Sequence, residues 1–277
     1  MRFWRASAAL LFALSFASQV AADPSQSKSG GATGAAPTAA PSVTTKANLE
    51  LGIIGVDNRV PADSTQWPWI AIGRLNREIG GHCTAALIGP RQVLTAAHCL
   101  FNQSTQRWAL PDEVHFVAGY QRGRYAAHSK AVRFTIAPGY NPNRRTEVKE
   151  MARDWAIIQL AAPLAVKPIP LSKRSIEETM AAAKSGEMNI AGYAVDYGEQ
   201  LMRDQGCQLL GEASDVKLLL HRCDVTFGVS GAPLLLIQDG QAEIIGIHNA
   251  IAESNKGQIA TAVPVAAFAG SVNAALK

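Results

Sequence analysis

A serine, a histidine and an aspartate stand in three short stretches of this 277-residue sequence: VLTAAHC (Val93–Cys99), RDWAIIQL (Arg153–Leu160) and CDVTFGVSGAPLLL (Cys223–Leu236). Such a set can perform acyl transfer, which at neutral pH needs an activated nucleophile, a base for its proton and donors for the developing oxyanion. Ser230 is the candidate nucleophile. It lies in Gly228-Val229-Ser230-Gly231, a glycine-flanked turn in which the N–H groups of Gly228 and Ser230 can converge on one spot. His98 is the candidate base. Asp154, placed at the opening of an apolar strand where a charge needs a partner, is the candidate for holding the imidazole and stabilising its protonated form. Each piece alone has an ordinary structural reading. Their order, with Cys99 directly after His98 and Pro233 three positions after Ser230, carries the chemistry.

The elements that must position these residues read as strands. From Ile53 onward, short apolar runs alternate with Gly, Pro, Asn and Asp: Trp69–Leu75, Thr84–Ile88, Val93–Ala97, Val114–Ala118, Val132–Ile136, Trp155–Leu160, Met188–Val195, Lys217–Leu220, Pro233–Ile237, Ala242–Ile247 and Gln258–Val263. That pattern predicts an all-β sandwich or barrel. Two helices are predicted. Ser175–Lys184 reads as a surface helix, and residues 264–277 place Val265, Phe268, Ala269, Val272 and Leu276 at helical spacing behind Pro264. Pro163–Pro170, with three prolines, reads as the crossover between two halves.

The N-terminus reads as an export signal. Arg2 and Arg5 precede an apolar run from Ala6 to about Ala17, and Val20-Ala21-Ala22 supplies small residues for cleavage after position 22. The run is too short for a durable membrane anchor. Residues 23–47, rich in Ala, Ser, Thr, Gly and Pro, read as a disordered leader or pro-segment. A secreted or periplasmic protein follows. Four cysteines agree with an oxidising compartment: Cys83 and Cys99 are sixteen positions apart, as are Cys207 and Cys223. Three connectivities are open and the local pairing is the simplest. Closing each such loop contributes about 3 kcal/mol in the chain-entropy model. Zinc is the alternative, without the usual ligand spacing. Of the formal net charge of +4, most sits before residue 48; beyond it 22 basic residues face 21 acidic ones. The cluster Arg144, Arg145, Lys149 and Arg153 is interrupted by acids and reads as a solvated loop, so nucleic acid is not an expected partner.

Over roughly Ile53–Lys277 the chain resembles the trypsin/chymotrypsin superfamily of serine endopeptidases, whose three catalytic motifs are matched in order by TAAHC, the DWAIIQL strand and GVSGAP. The resemblance implies two six-stranded antiparallel β-barrels at roughly right angles, an N-barrel over about 53–163 and a C-barrel over about 171–263, followed by a C-terminal helix. His98 and Asp154 would come from the first barrel and Ser230 from the second. It also implies a protein or peptide substrate, a monomer, and no metal or organic cofactor. The order Ser, acid, His that an α/β-hydrolase requires is not present.

Two positions depart from the trypsin-type members. Val229 stands where they carry an Asp that pairs with a new N-terminal amine, and Ile53-Ile54-Gly55 follows Leu51-Gly52 without a basic residue to cut after. Activation by that route is not expected. The segment from Ile53 to Leu75 resembles instead the start of the bacterial glutamyl-endopeptidase-like branch. Two side-chain preferences then compete. Asp224, six positions before Ser230, matches the acid that receives Arg or Lys in trypsin-like enzymes. His248, in IIGIHNA, matches the His that receives a substrate carboxylate in glutamate-specific relatives, and Thr226 could add a hydroxyl. A third reading has Asp224 facing away and satisfying backbone groups. Asn249-Ala250-Ile251 replaces the open, glycine-containing wall of the family and implies a shallow pocket. His82, His115, His128 and His221 are expected in core or surface roles. The alternative to an enzyme is a non-catalytic protein-binding module on the same fold.

Overall fold

A computed structural model describes residues 52–275 with the exception of 206, 214, 255 and 256. The expected signal peptide and leader, residues 1–22 and 23–47, lie outside the described residues. Sixteen strands are present among those described: β1 (Val60–Pro61), β2 (Ile72–Arg77), β3 (His82–Leu87), β4 (Gln92–Thr95), β5 (Phe101–Asn102), β6 (Arg107–Trp108), β7 (Val114–Ala118), β8 (Ala127–Ile136), β9 (Ala156–Leu160), β10 (Glu187–Gly192), β11 (Met202–Gln205), β12 (Gln208–Ala213), β13 (Leu218–Arg222), β14 (Pro233–Gln238), β15 (Gln241–Ser254) and β16 (Gly257–Pro264).

Strands β2-β3-β4-β9-β8-β7 close into an antiparallel barrel, which leaves no open edge. Its interior is filled by side chains that alternate inward along each strand, among them Leu75, Leu87, Leu94, Phe116, Ile158 and Leu160, all fully buried. Each such side chain stabilises the fold by about 1.5–3 kcal/mol relative to exposure. The second half is a sheet in the order β1-β11-β10-β14-β15-β16-β13-β12. β11 and β12, the first and last of its seven strands beyond β1, are separated by only two residues in the chain. β1 is an addition from the N-terminal segment, with Val60 opposite Arg203. Cys83 is bonded to Cys99 and Cys207 to Cys223, the local pairing.

Several element limits differ from the sequence reading for local reasons. Trp69–Ala71 forms a 3₁₀ turn, because the Ile70 and Ala71 N–H groups donate back to Gln66 and Pro68, so the first barrel strand begins at Ile72. The run predicted to extend through Val195 ends at Gly192, where the chain turns away. Lys217 has φ +55°, a left-handed turn conformation, and its strand begins one residue later. The helix α1 (Val148–Met151), just before Asp154, was not predicted. The predicted surface helix is present as α2 (Ile176–Ala182). Ser175 Oγ accepts the Glu178 N–H, and the Glu178 carboxylate accepts the Ser175 N–H at 2.8 Å, a capping box contributing about 1 kcal/mol. The C-terminal helix begins later than predicted, and the last two residues of the expected helix, 276 and 277, lie outside the described residues. Val265–Ala267 is a 3₁₀ turn and α3 spans Ala269–Ala275. Val265, Phe268 and Val272 are buried, and the Phe268 ring lies 6.0 Å from that of Trp155, bracing the residue that follows Asp154.

Candidate active site

Strand pairing explains why residues 56 positions apart meet. β4 and β9 are neighbours, with Thr95 opposite Ala156. His98 lies in the 3₁₀ turn Ala97–Leu100 that follows β4, and Asp154 lies two residues before β9. The two therefore emerge at the same end of adjacent strands. His98 Nδ1 donates to Asp154 Oδ2 at 2.6 Å, and the His98 backbone N–H donates to Oδ1 at 2.8 Å. One carboxylate thus fixes both the backbone and the ring of His98. With the proton on Nδ1, the Nε2 lone pair is the basic one. Asp154 is 2% exposed, and both of its oxygens face His98.

Ser230 arrives from the other barrel, in the turn that leads into β14. Two glycines make that turn possible. Gly228 has φ +93° and Gly231 φ +80°; a Cβ on Gly228 would lie 2.3 Å from the Tyr193 carbonyl oxygen, and one on Gly231 2.2 Å from Thr95 Oγ1. The turn is clamped on every side. Val195 N–H donates to the Phe227 carbonyl at 2.7 Å, Thr84 N–H to the Ser230 carbonyl at 2.9 Å, and Gly231 N–H to the His248 carbonyl at 2.8 Å. Because a trans peptide directs its C=O and N–H oppositely, the Phe227–Val195 bond turns the Gly228 N–H away from Val195. Among the described residues, neither the Gly228 nor the Ser230 N–H is donated to an acceptor, so both are available for an oxyanion.

Thr84 is a functional residue that the sequence reading missed. It is fully buried at the seam between barrels. Its hydroxyl donates to the Gly228 carbonyl at 2.9 Å and accepts the Tyr193 N–H at 2.9 Å. A hydroxyl within an otherwise apolar strand was the only sequence signal. Asn249 is a second. Its Nδ2 donates to the Met151 carbonyl at 2.8 Å, beside the triad acid, and its Oδ1 accepts the Thr261 hydroxyl at 2.8 Å. His82 lines the cleft as well, its Nε2 2.9 Å from the Tyr193 carbonyl oxygen.

His98, Asp154, Ser230, Gly228, Thr226 and His248 line one cleft of about 870 Å³. Asp224 does not. Its Oδ1 accepts the Ile54 N–H at 2.7 Å and its Oδ2 the Asn58 N–H at 2.9 Å, so the N-terminal segment occupies the carboxylate. The reading in which Asp224 receives a substrate cation is corrected by those two bonds. The Thr226 hydroxyl is also engaged, donating to Asp196 Oδ1 at 3.2 Å. His248 is 2% exposed and its Nδ1 has no partner. Burial, reinforced by the nearby His98, brings its pKa down to about 4. Its ring meets that of His221 edge-on at 5.5 Å. Burial, with His248 beside it, holds His221 well below the usual imidazole range as well. His115 and His128 lie on the outer face of the first barrel, their ring nitrogens 3.0 Å apart. Among the described residues, the one set of ligand atoms close enough to share a metal is Cys83, His98 and Cys99, whose two sulfurs are bonded to each other.

Three comparisons with known proteins bear on the family and the fold. The trypsin family model matches residues 56–272. A glutamyl endopeptidase of Bacillus licheniformis is 30% identical over 114 residues, which is 40% of this chain; the match spans a third of that relative's length. A Glu endopeptidase solved in complex with MPD superposes with a TM-score of 0.62 at 23% identity, covering 81% of this chain and 99% of that one. The VesB protease of Vibrio cholerae does so with a TM-score of 0.57 at 20% identity, covering 78% and 66%. These two structures share the fold. The matched span, the barrel topology and the ordered His98, Asp154 and Ser230 lead to one assignment: the chain belongs to the trypsin family.

Proposed function

We propose that this protein is an exported, monomeric serine endopeptidase that cleaves after acidic side chains. Ser230 attacks the scissile carbonyl while His98 Nε2 takes its proton, and Asp154 stabilises the resulting imidazolium. The N–H groups of Gly228 and Ser230 receive the oxyanion, and His98 returns the proton to the departing nitrogen. Water then repeats the sequence on the acyl-enzyme. The observation that carries the reading is the bifurcated grip of Asp154 on His98 in the same cleft as Ser230 and two undonated N–H groups.

The acidic preference rests on elimination and on one side chain. Asp224 is occupied by Ile54 and Asn58, so it offers nothing to Arg or Lys. His248 lines the cleft with an unpartnered Nδ1, which receives a carboxylate once the ring takes up a second proton. The partly matching relatives named for glutamate point the same way.

Peptides differing only by Glu, Gln or Lys before the scissile bond test it. Wild type should cleave the Glu peptide fastest, and His248→Ala should remove that advantage. A Lys preference, or a Glu preference that survives His248→Ala, contradicts the pocket assignment. No cleavage by wild type contradicts the enzyme reading itself.

A further inference from the structure

Arg77 is the last residue of β2 and lines the cleft, yet none of its ion-pairing capacity is used. Its Nη1 donates to the Cys99 carbonyl at 2.9 Å. Its Nη2 lies over Gly81, where an added Cβ would approach to 2.7 Å, so the absence of that atom makes room for the guanidinium. Its Nε is buried without an acceptor. Among the described residues, no carboxylate lies within ion-pairing distance of it. The adjacent Glu78 is drawn instead to His115 at 3.0 Å and Lys130 at 3.4 Å. Burial depresses the Arg77 pKa and no acid offsets that effect. A desolvated cation without a counterion is unfavourable, and one facing a cleft is relieved when an anion enters.

The rest of the cleft supports an anionic visitor. Its charged or ionisable lining consists of Arg77, Arg145, His82, His98, His248 and a single carboxylate, Asp154, already committed to His98. Position also specifies which part of the substrate arrives. His98 gives its proton to the leaving nitrogen, and the next residue, Cys99, is the one whose carbonyl holds Arg77. The leaving group is therefore released next to the segment that holds Arg77.

We propose that Arg77 forms a subsite for a carboxylate carried by the first or second residue after the scissile bond. This rests on the peptidase reading above and extends it, giving substrates with acids on both sides of the cut. With Nε buried and one Nη1 hydrogen given to Cys99, three terminal N–H groups remain free of protein acceptors, enough for a two-pronged contact. The carboxylate has two sources, an Asp or Glu side chain, or the C-terminus of a short leaving peptide.

The test uses matched peptides with Glu before the scissile bond. One pair carries Asp or Asn at each of the two following positions in turn, and another ends at the second position as free acid or amide. For wild type we expect kcat/KM about tenfold higher for at least one carboxylate peptide than for its neutral twin. Arg77→Met should bring that ratio to one, and Arg77→Lys should restore part of it. The pair that responds identifies the source. Equal rates within every wild-type pair overturn the proposal, as does a ratio that survives Arg77→Met. Should Arg77→Met fail to fold, Arg77→Gln, polar but uncharged, takes its place, and a ratio that survives it overturns the proposal. Wild type that cleaves none of the peptides overturns the peptidase reading, and this subsite with it.

Discussion

The Thr84 hydroxyl donates to the Gly228 carbonyl at 2.9 Å while accepting the Tyr193 N–H at the same distance, so one side chain of the first barrel fixes the oxyanion turn of the second. Trypsin-type members are expected to order this turn with an acid at the position of Val229. Here Val229 is buried in an apolar cluster, and hydrogen bonds from Thr84, Val195 and Gly231 hold the neighbouring residues.

Thr84→Val should therefore lower kcat by about a hundredfold with little change in KM, the cost of a misplaced donor. Thr84→Ser, which keeps the hydroxyl, should retain most of the activity. Steady-state kinetics on both variants, with thermal melts to register any loss of folding, check the split. A fall in stability alone, with kcat intact, would contradict the clamp.

Val229→Asp should not create trypsin's activation switch. The carboxylate would enter an apolar cluster containing Val225, Leu234 and Ile245. We expect a loss of about 3–5 kcal/mol in unfolding free energy, measurable by urea titration.

Asp224→Asn should leave the side-chain profile at the cleaved bond unchanged, because the carboxylate serves Ile54 and Asn58 rather than the cleft. Weaker acceptors there should cost about 1–3 kcal/mol of stability. A changed substrate profile would return Asp224 to the pocket.

The fold and the meeting of His98, Asp154 and Ser230 in one cleft were legible in the sequence for a physical reason. Short runs between turn residues specify strands, and TAAHC and GVSGAP combine local constraints, a disulfide beside the base and glycines around the nucleophile. Asp224 shows where such reading stops. Its distance along the chain from Ser230 places the backbone, but the direction of its carboxylate is decided by Ile54, 170 residues earlier. Thr84 and Arg77 are silent for the same reason. The partner of Thr84 is 144 residues away, and Arg77 matters because no acid was folded next to it.

Acid should weaken the fold through His248. Its folded pKa of about 4 lies below the ordinary imidazole value near 6.5, so the folded state binds fewer protons than the unfolded one. Stability is then complete above about pH 6.5 and falls as pH drops toward 4, by about 3 kcal/mol for this group. Urea titrations of wild type and His248→Gln across that range should show a shallower acid loss in the variant. Parallel curves would contradict the sign.

The central claim is that Ser230 is a nucleophile activated by His98. Intact-mass analysis after incubation with a fluorophosphonate, followed by peptide mapping, tests it most directly. We predict one stoichiometric adduct, located on Ser230, absent from Ser230→Ala and strongly slowed in His98→Ala. Wild-type protein that is folded yet takes up no adduct, or takes it up at another residue, would contradict the account.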